Sequence, residues 1–282
     1  MKKIFYSILI FLLILLNFST VCADDVDNEV DFEDTIEVTA SNVSELPKTN
    51  SRRYIVYDRI SKSMIIGKNE DVKSAMASTT KIMTTIVILE KADLNEKVTV
   101  SAKAGGTGGS RLGLKRGDKA SVRDLLYGLM LRSGNDAAVA LAEHVGGSVK
   151  GFAELMNEKA IELGLTNTHF VTPHGLDDAN HYTTALELAK LTDYAMDNET
   201  FAKIVGTKST TIYINNQSRQ INNTNELLGV LNGVVGVKTG FTNNAGRCLV
   251  TETKRNNMDI ITIVLGADTK KDRTKDSVNL IE

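Results

Sequence analysis

Strand-like and helix-like patterning alternate in long blocks along this chain, and that order constrains the fold more than any other feature. Residues 53–57 and 63–66 read as the arms of a hairpin around Asp58-Arg59-Ile60-Ser61. Helical periodicity then takes over. The run from Ser78 puts Ile82, Met83, Ile86, Val87 and Leu89 on a buried stripe, and further helices are predicted over 122–131, 137–145, 152–163 and 185–196. Ser121 with Asp124, and Thr184 with Glu187, have the spacing of capping boxes at two helix starts. Strand patterning returns over 210–214, 234–238, 248–254 and 259–265, before a last helix over 271–281. Helices in the middle and strands at both ends predict an α+β architecture, with an antiparallel sheet assembled from the two ends of the chain.

At 282 residues and 42% hydrophobic composition, the chain can bury a sizeable core. Its first residues differ in kind from the rest. Lys2 and Lys3 precede an apolar stretch over 4–18 that ends in Ser19-Thr20-Val21-Cys22-Ala23, the order of a secretory signal peptide with cleavage after Ala23. About 15 apolar residues fall short of the ~20 that span a bilayer, so membrane attachment is expected only if this segment stays uncleaved as a tether. Cys22 could suggest a lipoprotein site, but Val21 is bulkier than the small residue such sites carry before the cysteine. Residues 24–50 hold nine Asp/Glu against one lysine and read as a solvated acidic linker. Cleavage removes Cys22 and leaves Cys248 without an internal disulfide partner; its strand-like surroundings predict a small buried apolar residue. Residues 51–282 hold 30 basic and 26 acidic side chains. This mild excess suits an anionic polymer such as a cell wall and is too weak to argue for nucleic acid.

Ser78-Thr79-Thr80-Lys81 opens the first helical run, and a Ser-x-x-Lys arises by chance roughly once in a chain of this length. Its weight comes from two further motifs in matching settings. Ser133-Gly134-Asn135 falls between two helical patterns, although Ser277-Val278-Asn279 repeats that spacing. Lys238-Thr239-Gly240 ends an apolar strand before Phe241-Thr242. A serine nucleophile needs a group to take its proton, and Lys81, one helical turn on, shares a face with Ser78. Only a neutral lysine can act so; burial beside a second cation such as Lys238 shifts the amine in that direction. Ser133 suits a proton relay to the leaving amine, and Asn135 can bond both the lysine and a substrate amide. Lys238 and Thr239 suit a terminal carboxylate, and Gly240 allows an extended peptide to lie against the strand edge.

This triple is that of penicillin-binding proteins and class A β-lactamases. Together with Gly108-Gly109-Ser110, Pro173-His174-Gly175-Leu176, His181-Tyr182-Thr183-Thr184-Ala185 and the extension of the third motif through Thr242, residues 50–282 resemble a serine-type D-alanyl-D-alanine carboxypeptidase, a low-molecular-mass penicillin-binding protein of peptidase S11 type. The resemblance implies a β-lactamase/transpeptidase-like fold with a mostly helical subdomain. It also implies removal of the terminal D-alanine from peptidoglycan pentapeptide stems through an acyl-enzyme on Ser78, covalent inhibition by β-lactams, no cofactor or metal, and an extracytoplasmic monomer. Backbone N–H groups of Ser78 and Phe241 would form its oxyanion hole, and residues 105–109 a mobile loop near the site. Two departures are visible. Members usually continue into a β-rich domain and an amphipathic anchor helix, whereas this sequence stops at Glu282; Arg247 stands where an aromatic residue is common.

Other readings are weaker. The four histidines lack His-x-x-x-His spacing, which disfavours a zinc carboxypeptidase, and His174 and His181 are expected to shape the loop around Pro173. The glycine run 105–109 has no Gly-Lys-Ser/Thr after it and is not a phosphate loop. A class A β-lactamase needs a carboxylate for its deacylating water some 35 residues beyond the second motif; residues 165–172 hold no acid. A non-catalytic wall-binding or antibiotic-sensing module remains as the third reading, against which the intact Ser78, Lys81, Ser133 and Lys238 set argues.

Overall fold

The computed structural model describes residues 46–282; the predicted signal segment and most of the acidic linker lie outside the described residues. The predicted hairpin is present as β1 (Arg53–Asp58) and β2 (Ser63–Lys68). It joins three strands from the other end of the chain, β7 (Val234–Thr242), β8 (Gly246–Arg255) and β9 (Met258–Ala267), in the order β2-β1-β9-β8-β7. Every neighbouring pair is antiparallel, and β1 meets β9 with Ile55 opposite Ile263. The two ends of the chain therefore build one sheet, as the patterning predicts.

Between them run a 3-10 turn (Ala77–Thr80), α1 (Lys81–Lys91), α3 (Val122–Leu131), α4 (Asn135–Gly146), α5 (Val149–Glu162) and α6 (Ala185–Met196). The main core lies between this helical lobe and one face of the sheet, where Ile55, Val250 and Ile263 join Ile82, Met83 and Ile86 of α1. A C-terminal helix, α8 (Lys270–Ile281), covers the other face through Leu280 against Tyr54, Val56 and Val264. Both predicted caps form: Ser121 Oγ accepts from the Asp124 amide at 3.0 Å and Thr184 Oγ1 from the Glu187 amide at 3.1 Å. Cys248 is fully buried.

Five short elements escape sequence patterning. These are α2 (Ala102–Gly105), α7 (Glu199–Val205) and three strands of a second small sheet, β3 (Lys97–Thr99), β4 (Lys119–Ser121) and β6 (Gln217–Asn222), which joins β5 (Ser209–Ile214) in the order β3-β4-β5-β6. Three residues are too few to show a period, and β6 buries only Ile221. Pairing partners, not side-chain pattern, make these strands. A further difference bears on the site: β7 runs to Thr242 and does not end at Lys238, because residues 239–242 stay paired with β8, Gly240 opposite Cys248.

Arg59, in the turn of the first hairpin, reaches inward to carboxylates from three other elements. Its Nε donates to Asp193 Oδ1 at 2.9 Å, Nη1 to Glu252 Oε1 at 2.5 Å and Asp259 Oδ2 at 3.0 Å, and Nη2 to Asp197 Oδ1 at 2.6 Å. Burial, with the neighbouring Asp259 charge, pushes the Glu252 carboxyl up to about 7. Between the ordinary glutamate range and that value the folded chain keeps a proton that the unfolded chain releases, so this group's contribution to stability falls as pH rises through the window. Glu252→Gln removes the dependence. Its stability relative to the parent is expected to rise by on the order of 1–3 kcal/mol between pH 4.5 and 7.5 in urea titrations; a pH-independent difference would refute the assignment.

Candidate active site

The turn carrying Ser78 is held by its own threonines. Thr79 Oγ1 donates to Met76 O at 2.6 Å and Thr80 Oγ1 to Ala77 O at 2.8 Å, while Ala77 adopts a left-handed φ of +48° immediately before the serine. One turn on, Lys81 begins α1 and is fully buried. Its Nζ lies 2.8 Å from Ser78 Oγ, 2.7 Å from Asn135 Oδ1 and 3.0 Å from His174 O.

Asn135 is the first residue of α4, so the second motif is a turn running into a helix. Ser133, at φ +57°, is completely buried, and its Oγ has no hydrogen-bond partner among the described residues. Asn135 Nδ2 donates to Gly108 O at 2.8 Å, and its backbone N–H to Ser110 O at 2.8 Å. The adjacent Asp136 accepts from the amides of Leu112, Gly113 and Leu114 at 2.8–2.9 Å. The glycine-rich loop is thereby fastened directly to the residue that holds the lysine.

On β7, Lys238 Nζ donates to Thr239 O at 2.9 Å, and Thr239 Oγ1 lies 2.7 Å from Thr224 Oγ1. Gly240 faces the serine turn so closely that a Cβ there would stand 3.0 Å from the Ser78 amide nitrogen and 3.3 Å from that of Thr79. Phe241 is half-buried, with the Arg247 guanidinium 3.8 Å above its ring, so the arginine that departs from the family pattern stacks on a residue beside the site. Ser78, Lys81 and Asn135 are thus linked directly, Gly240 abuts the turn that carries Ser78, and Lys238, Thr239 and Phe241 flank Gly240 on the same strand.

The loop around Pro173 closes the far side. Val171 N–H donates to His181 Nδ1 at 3.0 Å, so the ring proton sits on Nε2 and faces Thr80 Oγ1 at 2.8 Å. Burial holds His181 down at about 4 and, reinforced by Lys81, His174 at about 3; both rings are neutral near pH 7. Gly175, at φ +85°, touches the serine turn: a Cβ would collide with Ala77 O and Thr80 Oγ1. Asp177 then accepts from Thr242 Oγ1 at 2.6 Å and from the Asn244 amide at 3.2 Å, tying this loop to the end of β7. No motif in the sequence assigns a role to the His174 carbonyl, Asp136 or Asp177. The first has no side-chain signature at all, and the acids signal only through their position beside two of the motifs.

Gly240→Ala is expected to fold normally, since the strand is paired throughout, yet to push β7 away from the Ser78 and Thr79 amides. A displacement of this kind costs about 100-fold in acylation rate. Stopped-flow acylation beside a thermal melt checks it; an unchanged rate would mean that the close approach is dispensable.

With this geometry in place, comparison with known proteins is informative. Residues 39–269 match the family model for D-alanyl-D-alanine carboxypeptidase, peptidase S11. The chain is 37% identical over 234 residues to D-alanyl-D-alanine carboxypeptidase DacF of Bacillus subtilis, covering 81% of this chain and 60% of that protein. It is 38% identical over 266 residues to DacC of Escherichia coli, covering 86% and 63%. The chain thus spans about three fifths of the length of these curated relatives. The crystal structure of the Streptomyces K15 DD-transpeptidase superposes with a TM-score of 0.79 at 34% identity, covering 84% of this chain and 97% of that one. The shared fold and the match over most of its length make this chain a member of the serine-type D-alanyl-D-alanine carboxypeptidase family, peptidase S11.

Proposed function

We propose that this chain is a serine D-alanyl-D-alanine carboxypeptidase that acts outside the cytoplasm on peptidoglycan stem peptides and is acylated by β-lactams at Ser78. The observation that carries this reading is the environment of Lys81. A neutral amine has two N–H groups and one lone pair. Asn135 Oδ1 and His174 O are acceptors suited to the two N–H groups, which leaves the lone pair for the Ser78 hydroxyl at 2.8 Å. In that state Lys81 takes the proton as Ser78 Oγ attacks the scissile carbonyl.

The developing oxyanion sits between the Ser78 and Phe241 amides, and such a donor is worth roughly 3 kcal/mol of barrier. Ser133, with its hydroxyl uncommitted, passes the proton to the departing D-alanine amine as the C–N bond breaks. Lys238 and Thr239 hold the terminal carboxylate. Water then attacks the ester and gives its proton to Lys81, which passes it to Ser78 Oγ as the C–Oγ bond breaks, so that Ser78 and the neutral amine are both regenerated.

The acids near the site support a peptidase over a β-lactamase. Glu187 is occupied by the Asn167 amide and the Thr168 hydroxyl, Asp177 by Thr242 and Asn244, and Asp178 by the Asn180 amide. Each is committed to backbone amides or hydroxyls of its surroundings, which argues against its activating a deacylating water. Intact-protein mass spectrometry after penicillin treatment is expected to show one adduct on Ser78 that persists for minutes or longer. Ser78→Ala should abolish the adduct, and Lys81→Ala should nearly match it, because nucleophile and base act as a unit. Rapid penicillin hydrolysis without an adduct would favour a β-lactamase instead.

Lys238→Gln is expected to lower kcat/KM by about 10–100-fold for peptides with a free C-terminus, the worth of one hydrogen bond to a charged group. Amide or ester analogues lacking that carboxylate should suffer much less. Equal losses in parallel kinetic assays would place Lys238 in proton transfer instead.

A further inference from the structure

The charge of this protein is concentrated beside the site. Residues 51–282 hold 30 basic and 26 acidic side chains, and residues 97–123 alone hold seven and one, so the rest of that stretch is net −2. The basic segment is the lobe that carries the glycine-rich loop, and packing gathers its cations. Arg111 donates to Gly105 O, Gly105 abuts the backbone of Lys115 and Arg116, and Arg219 from β6 donates to Leu112 O at 3.2 Å. Lys103, Arg111, Lys115 and Arg116 are all exposed.

Several cations elsewhere among the described residues are paired with carboxylates, namely Arg59, Lys62, Lys159, Lys254, Arg255 and Lys270. None of the lobe's four is among them, and the carboxylates nearby have other donors. Asp118 accepts from the Lys115 amide and Asn215 Nδ2, Asp124 from Ser121 and the Tyr213 amide, and Glu96 faces His144. An exposed concentration of one sign, left unneutralised, attracts a ligand of the other. The same loop that carries it bonds Asn135 through Gly108 O.

We propose that this lobe is a docking surface for polymeric peptidoglycan, whose stem-peptide carboxylates make it a polyanion, and that it holds the mesh while one stem occupies the cleft. The assignment rests on the peptidase reading. Its position favours the substrate polymer over an unrelated anion: the loop that carries these cations is bonded to Asn135, which itself holds Lys81 beside Ser78.

The test uses the full chain and a Lys103→Gln, Lys115→Gln, Arg116→Gln variant, all three at exposed positions outside the site. Co-sedimentation with sacculi stripped of covalently attached phosphate polymers is measured at roughly 20 and 300 mM salt, since exposed charges are screened over that range. The parent should bind at low salt and lose at least about fivefold at high salt, while the variant binds weakly at both. D-Alanine release from sacculi should fall about tenfold in the variant, with kcat/KM for a short soluble D-Ala-D-Ala peptide within about twofold of the parent. Equal binding by parent and variant, or parent binding that disappears once the phosphate polymers are stripped, would overturn the proposal. So would equal loss of turnover on both substrates. Failure of the parent to cleave either substrate would refute the peptidase reading, while co-sedimentation would still read the lobe.

Discussion

A buried lysine amine surrounded by three oxygens is the arrangement on which the rest of this molecule depends. Lys81 has no exposed surface, and its Nζ touches Ser78, Asn135 and the carbonyl of His174. Those oxygens belong to the serine turn, the start of α4 and the Pro173 loop. A polar amine taken out of water without partners is costly, and here the partners are also what fix three separate segments around one nitrogen.

Each segment is secured in turn by bonds that do no chemistry. Asp136 gathers three loop amides next to Asn135, His181 props Thr80 beneath the serine turn, and Asp177 joins the Pro173 loop to β7. Catalytic geometry tolerates displacements well under 1 Å before rates suffer, so this supporting layer matters as much as the groups it holds. The sheet edge is drawn in by absence: Gly240 and Gly175 lack the Cβ atoms that would force β7 and the Pro173 loop off the serine turn.

Charge is distributed unevenly as well. The Arg59 cluster buries one guanidinium among carboxylates from three elements and locks the first hairpin to α6 and the sheet, far along the chain from the motifs. The segment 97–123 leaves its cations exposed. The carboxylates of Asp177, Asp178 and Glu187 are instead taken up by amides and hydroxyls of neighbouring segments.

Local signals in the sequence determined the longer helices, the hairpin and two of the caps, and singled out Ser78, Lys81, Ser133, Asn135 and Lys238 as candidate site residues, because periodicity, cap spacing and motif chemistry act within a few residues. The antiparallel sheet built from both chain ends was legible for the same reason, from strand patterns at each end. What only the tertiary structure decided are the relations that span the chain. The His174 carbonyl, 93 residues from Lys81, has no side-chain signature to read. The continuation of β7 through Thr242 depends on pairing with β8, and β3, β4 and β6 exist because partners supply hydrogen bonds that their own composition does not demand. A backbone oxygen or a paired edge acquires its role from what folds against it, and that is set by the packing of the whole chain.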